Sequence, residues 1–241
     1  MSASLDGKIA VVTGASKGIG RAICTTLHNA GASIIPVARA SAELDSLLEE
    51  CGERCEPWAG DATSDEFLAF LSTRDRIDIL VNNVGINVPK PMTDLADDEL
   101  DRMLDLNVRT TYRVSREVLK NMPSDGRIVH ISSQMGHVGS PNRTAYCMTK
   151  HAIEGLTKAM AVELAPRGIR VNSVAPTFVE TAMTKPMLAD PEFSAFVKKM
   201  IPLGQVATTD DVAEAVLYLS SPAGRMITGH SLLIDGGWTA Q

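Results

Sequence analysis

Lys8-Ile9-Ala10-Val11-Val12-Thr13-Gly14-Ala15-Ser16-Lys17-Gly18-Ile19-Gly20 passes from an apolar run into a glycine-rich turn and on into an amphipathic segment. Lys8–Val12 predicts a strand and Gly18–Ala30 a helix. Glycines let the backbone between them bend sharply and come close to a ligand. The helix N-terminus offers unpaired N–H groups and a favourable dipole to an anion. Read alone, such a turn is only a tight bend. Its strand–turn–helix setting makes it a pyrophosphate cradle, although the spacing differs from the commoner dinucleotide fingerprint.

Downstream, the same alternation repeats. Strands are predicted at Ser33–Val37, Cys55–Ala59, Ile79–Val81, Arg127–Ile131, Arg170–Val174 and Ser231–Ile234. Helices are predicted at Ser41–Cys51, Ser64–Thr73, Asp97–Met122, Ala145–Ala165 and Asp210–Leu219. This order predicts an α/β fold, a Rossmann-type doubly wound parallel sheet of about seven strands with helices on both faces. Residues 1–241 form one domain in this reading. Pro176–Gly204 is a long segment with four prolines, placed as a substrate lid that carries short helices. Pro36 conflicts with an interior second strand, because proline cannot donate to a ladder. That strand is therefore expected to be irregular or short.

The 241 residues carry a net charge of −6 with 44% apolar and 22% charged residues, and no basic stripe. Nucleic acid is not an expected partner. Met1–Val12 lacks the layout of a signal peptide, and no apolar run has the length of a membrane span. Cys24, Cys51, Cys55 and Cys147 are scattered and read as free thiols of a cytoplasmic protein. The histidines at 28, 130, 151 and 230 form no metal pattern.

The end of the second strand should meet the adenosine ribose. An acidic residue there suits NAD, and a cation suits the 2′-phosphate of NADP. The sequence has Arg39 and no carboxylate at that point, and Lys17 lies within reach, so NADP is expected and NAD is possible. Asp61, after the third strand, is placed at the adenine edge. Asn82–Gly85, after the fourth, lies along the cofactor.

Tyr146 and Lys150 are four residues apart on a predicted helix and share a face. A nearby ammonium would lower the phenol pKa, so that Tyr146 acts as acid toward a ketone or base toward an alcohol. Ser133 would hydrogen-bond the substrate oxygen as charge develops. His137 and Gln134 are candidate substrate contacts, with Asn142 and Arg143 as comparable ones. Met183, Met187 and Met200 could line the lid.

Thr13–Gly20, Asp61, Asn82–Gly85, Asn107, Ser133, Tyr146, Lys150, Arg170–Pro176 and Ile234–Gly237 together resemble the short-chain dehydrogenase/reductase family from end to end. The resemblance implies a catalytic set of Asn107, Ser133, Tyr146 and Lys150. Asn107 would sit at a helix irregularity and hold a water that relays protons through Lys150, which also bonds the nicotinamide ribose. The implied cofactor contacts are Gly14, Ser16, Lys17, Gly18, Ile19, Gly20, Arg39, Asp61, Asn83, Gly85, Tyr146, Lys150, Pro176, Val179 and Thr181. Asn172 would support the crest of the sheet. Val84, where the family usually has alanine, would crowd the cofactor slightly, and Thr177 stands where glycine is common. Pro176-Thr177, Tyr146-Cys147 and Ile201–Gly204 are similar to the branch of L-xylulose and carbonyl reductases.

The expected activity is hydride transfer between NADP(H) and a small ketone or secondary alcohol of carbonyl, sugar or polyol type. Two alternatives stand beside it, reduction of a 3-oxoacyl thioester and a non-catalytic nucleotide sensor. The resemblance also implies a homodimer or homotetramer. One seam would lie on the helices at Asp97–Met122 and Tyr146, and a second at the C-terminal strand.

Overall fold

The computed structural model describes residues 4–182 and 184–241, so the reading of Met183 and the first three residues of the Met1–Val12 reading lie outside the described residues. Seven parallel strands form one sheet: β1 (Ile9–Thr13), β2 (Ser33–Ala38), β3 (Trp58–Ala59), β4 (Ile79–Asn82), β5 (Arg127–Ile131), β6 (Arg170–Pro176) and β7 (Ser231–Ile234). Their order is β3-β2-β1-β4-β5-β6-β7, the expected doubly wound sheet. The order reverses between β1 and β4, which opens a crevice at the carboxyl ends of those strands.

Alternation along the strands builds two cores. Ala10, Val12, Ile79, Val81, Val129 and Val174 face one apolar layer. Val11, Leu80, Ile128 and Val171 face the other. The first layer is closed by α1 (Gly18–Asn29), α2 (Ala42–Cys51) and α9 (Thr209–Ser220). The second is closed by α3 (Asp65–Ser72), α5 (Thr110–Val118) and α6 (Thr144–Leu164). Such double-sided burial is what near-continuous apolar strands require. No described helix is long and apolar enough to cross a membrane.

The differences from the sequence reading have local causes. Ser41 and Ser64 are caps rather than helical residues; their hydroxyls accept from Leu44 N at 3.3 Å and Phe67 N at 3.1 Å. The long helical region expected over Asp97–Met122 is α4 (Asp97–Leu104), a π-helical turn at Asp105–Arg109 that holds the irregularity expected at Asn107, and then α5. Thr110 N donates to Asp105 O, five residues back, which marks the inserted residue. The segment 176–204 carries α7 (Lys185–Leu188) and α8 (Pro191–Met200).

Pro36 leaves β2 at full length and spoils only its outer ladder. Ile34 O accepts from Glu56 N and Ala38 O from Gly60 N, so alternate residues of β2 face β3. Pro36 lies between them and faces the same way. Pairing there falls to an isolated bridge, Ile34 with Cys55, before β3 begins at Trp58. The missing donor thus accounts for a third strand shorter than the expected Cys55–Ala59.

Candidate active site

The cradle is built by backbone that side chains would obstruct. Gly14 has φ +68° and Gly18 φ +57°, a region that favours glycine. A Cβ on Gly20 would stand 2.1 Å from Gly14 O and 2.7 Å from Asn83 Nδ2. The ends of β1 and β4 are stitched together above it. Thr13 Oγ1 accepts from Asn83 N at 3.0 Å and Val84 N at 3.1 Å. Asn83 Nδ2 donates to Thr13 O and Gly14 O at 2.9 and 3.1 Å. The Asn83 amide nitrogen therefore braces the cradle. Val84, expected to crowd the cofactor, instead packs against the second apolar layer.

The segment that follows β6 packs over the same turn. A Cβ on Gly18 would meet Thr181 Cγ2 at 3.6 Å. Pro176 ends β6, and buried Val179 bridges to Ala207. Thr177 N donates to Ile234 O, while its buried hydroxyl has no partner. Ser16 and Ile19 flank Lys17, the N-cap of α1, whose side chain caps nothing. Lys17 and Arg39 are both exposed, and neither joins an ion pair among the described residues. Asp61 Oδ1 accepts from Thr63 N at 2.8 Å, which fixes the turn after β3. An obstructed-by-design glycine turn, two uncommitted cations and an orphaned hydroxyl at the crest fit a phosphorylated dinucleotide.

Ser133, two residues beyond β5, caps a 3-10 turn at Gln134–Gly136, accepting from Met135 N at 3.2 Å. Tyr146, in the first turn of α6, is half-buried, and Ser133 pulls its phenol pKa down. Lys150 lies one turn on, buried, with its Nζ 5.6 Å from the centre of the Tyr146 ring. That Nζ donates to Ile131 O at 2.8 Å. Asn107 sits in the π turn as the helix irregularity required. Its Oδ1 accepts from Ile86 N at 2.8 Å, and its Nδ2 donates to Ile86 O at 2.9 Å and Thr149 Oγ1 at 3.1 Å. Gly85 keeps this corner open, since a Cβ there would lie 3.2 Å from Asn107 Oδ1 and 3.8 Å from Lys150 Nζ.

Electrostatics correct one expectation. The phenol of Tyr146 is not made acidic by Lys150. Desolvation pushes it up to about 12, against the opposing pull of Ser133 and, more weakly, of Arg143. Desolvation likewise pulls Lys150 down to about 8, with Glu154 acting in the opposite sense. Burial dominates both shifts because the charged forms lose water.

His137, a candidate substrate contact, stands against the last strand. Its Nε2 lies 2.9 Å from Ser231 Oγ and 3.5 Å from Glu154 Oε1. Gln134 is buried within its 3-10 turn. Asn172 ties β6 to the foot of β7 rather than to the crest, donating to Ile227 O at 2.9 Å and accepting from His230 N at 3.1 Å. Arg143 is half-buried and bonds Asn142 O at 3.3 Å. Residues missed by the sequence reading are Thr149, which holds Asn107, and Glu154, buried one turn past Lys150. Their only sequence signal is a polar residue on the inward face of α6. All four cysteines are free, and no metal-holding group occurs among the described residues.

Comparison with known proteins agrees with this geometry. Residues 14–239 match a family described as enoyl-(acyl carrier protein) reductase. The chain is 38% identical over 246 residues to L-xylulose reductase from Bos taurus, covering 100% of both chains. It is 39% identical over 241 residues to the 3-oxoacyl-[acyl-carrier-protein] reductase of Vibrio harveyi, covering 97% of this chain and 98% of that one. Among solved structures, a protein of Beutenbergia cavernae assigned as an NAD(P)-dependent gluconate 5-dehydrogenase, with NADP at low occupancy, superposes with TM-score 0.93. It is 36% identical, with full coverage of both chains. A short-chain dehydrogenase/reductase of Serratia marcescens gives TM-score 0.90 at 36% identity over 98% of this chain and 99% of that one. The protein is an oxidoreductase built on a Rossmann-type sheet. It belongs to the short-chain dehydrogenase/reductase family.

Proposed function

We propose that the protein is an NADP(H)-dependent reductase of a small polyhydroxylated or dicarbonyl ketone, with Tyr146 as the proton donor. The observation that carries this reading is buried Lys150 one helical turn from Tyr146, its Nζ 5.6 Å from the ring centre, beside Ser133 and the glycine cradle. The relative from Bos taurus is named L-xylulose reductase and one from Gallus gallus D-erythrulose reductase, both acting on small sugars by name. A third, from Sus scrofa, is named carbonyl reductase [NADPH].

Lys17 and Arg39 bind the 2′-phosphate, Gly14–Gly20 the pyrophosphate, and Pro176, Val179 and Thr181 border the nicotinamide. Asp61 and Gly85 complete the adenine and ribose walls, with Asn83 holding the cradle in shape. When bound, NADPH supplies the hydride. Ser133 orients the carbonyl oxygen and stabilises its developing charge. A phenol held near 12 stays protonated through the neutral range, so Tyr146 donates to the forming alkoxide. The alkaline limb of reduction then belongs to Lys150, near 8. Asn107 supports the return of a proton through Lys150.

Tyr146→Phe should lower turnover by about 10²–10⁴-fold while NADPH binding, followed by fluorescence, changes little. Undiminished turnover would remove Tyr146 from the chemistry and favour a sensor. A panel of sugars, polyols, diketones and 3-oxoacyl thioesters, run with NADPH and NADH, tests substrate and cofactor together. The Vibrio harveyi relative keeps thioester reduction as the second reading, and preference for the thioester would establish it. We also infer self-association through two seams. Exposed Tyr112 and Val162 lie on α5 and α6, and exposed Met226 and Leu233 lie near and on β7.

A further inference from the structure

Glu154 is a buried carboxylate that the proton transfer described above does not use. It points into a polar pocket between α6 and the last two strands. Ser173 Oγ, on β6, donates to both carboxylate oxygens at 2.9 and 3.1 Å. Ser231 Oγ, on β7, donates to Oε1 at 3.1 Å. His137 Nε2, from the loop after β5, stands 3.5 Å from the same oxygen. Two serine donors converging on both oxygens suit a carboxylate, which only accepts.

Lys150 lies one turn earlier on the same helix, equally buried. Gly136 packs onto that turn, where a Cβ would stand 3.1 Å from both Glu154 Cγ and Lys150 O. An ammonium and a carboxylate four residues apart, both withdrawn from water, interact far more strongly than the same pair on a surface. The other groups around them are few. Among the described residues, those facing Lys150 are Tyr146 and Glu154 on α6 and His130 from β5. Those facing Glu154 are Lys150 and His137, with neutral Ser173 and Ser231. His130 is itself held neutral at neutral pH by burial and by the charge of Lys150.

We propose that Glu154 is a positioning residue that serves as the fixed counter-charge of Lys150, held in place by Ser173, Ser231 and His137 so that the amine stays an ammonium during turnover. This rests on the reading of Lys150 as part of the proton-transfer and cofactor site. Glu154 touches no reacting atom; it acts through Lys150. Its influence already opposes the desolvation that pulls Lys150 down to about 8.

The test is a direct titration of Lys150. Protein labelled with ¹³C at the lysine ε-carbon is followed by NMR from pH 6 to 11, with the resonance assigned by Lys150→Arg. In Glu154→Gln the Lys150 midpoint should fall by about one pH unit, a tenfold change in the protonation equilibrium. The alkaline limb of ketone reduction should move down with it. An unmoved midpoint in a folded Glu154→Gln protein overturns the proposal. If that variant does not fold, the carboxyl carbon of Glu154 in the unmutated protein answers the same question. Its shift should show a step at the Lys150 midpoint, and a flat trace through that pH overturns the proposal. The titration needs no turnover, so an inactive wild type would count against the proposed function while leaving this test intact.

Discussion

His130 makes the fold sensitive to mild acid in a way that can be worked out in advance. It lies in the middle of the sheet on β5, fully buried, with Nδ1 3.1 Å from Asn82 Nδ2 and Nε2 without a partner. Burial, helped by the charge of Lys150, lowers its pKa to about 3. The unfolded chain takes up a proton near 6.5 and the native state does not, so stability is lost as pH falls below 6.5. At pH 5.5 the loss is about 1.4 kcal/mol and at pH 4.5 about 2.7 kcal/mol. The first figure depends on the unfolded value alone, provided the native value lies well below 5.5. Asp78 and Asp235, also held low, titrate beneath this window, and their contribution fades only as pH falls further. His28 acts in the same direction as His130, so a variant is needed to isolate the latter. Urea unfolding of wild type and His130→Gln, at pH 7.5 and 5.5 and one protein concentration, supplies it. Wild type should lose about 1.4 kcal/mol more than the variant between the two pH values. Equal losses would show that His130 is protonated in the native state and that the buried arrangement described here is wrong.

The cradle and the phosphate cations yield two further expectations. Gly20→Ala places a methyl 2.1 Å from Gly14 O, so the turn must open; NADPH affinity should drop at least about tenfold, or about 1.4 kcal/mol, and unchanged affinity by fluorescence titration would count against this cradle as the pyrophosphate site. Removing the exposed guanidinium in Arg39→Ala should weaken NADPH by about 2 kcal/mol, roughly 30-fold. NADH kinetics should stay as they were, and an equal loss for both cofactors would exclude a 2′-phosphate contact at Arg39.

Much of the molecule is legible in its sequence because the signals are local. Val11 and Leu80 alternate with neighbours that face the opposite layer, so the strands declare themselves. The pairing of Tyr146 with Lys150 needs only the helical period. The illegible features depend on contacts far along the chain. The irregularity at Asn107 is implied by the resemblance, but its bonds to Ile86 and Thr149 reach 21 and 42 residues along the chain. The direction of His137 is set by Ser231, 94 residues away. The phenol shift runs opposite to the expected sign because spacing reveals a neighbouring cation but not the depth at which both groups sit. The expected irregularity of β2 at Pro36 does not appear; the strand is continuous, and only its ladder toward β3 is short.

That proline also makes the two rims of the sheet unlike. An open strand rim is a template on which another chain can lay its own backbone, and long, flat rims invite runaway stacking. On one rim the outermost strand is Trp58–Ala59, anchored by the tilted packing of Trp58 against Phe67 and Phe70 as much as by its short ladder. Two residues offer an incoming chain almost nothing to copy. Any growth of the sheet across molecules is therefore steered to the opposite rim, Ser231–Ile234.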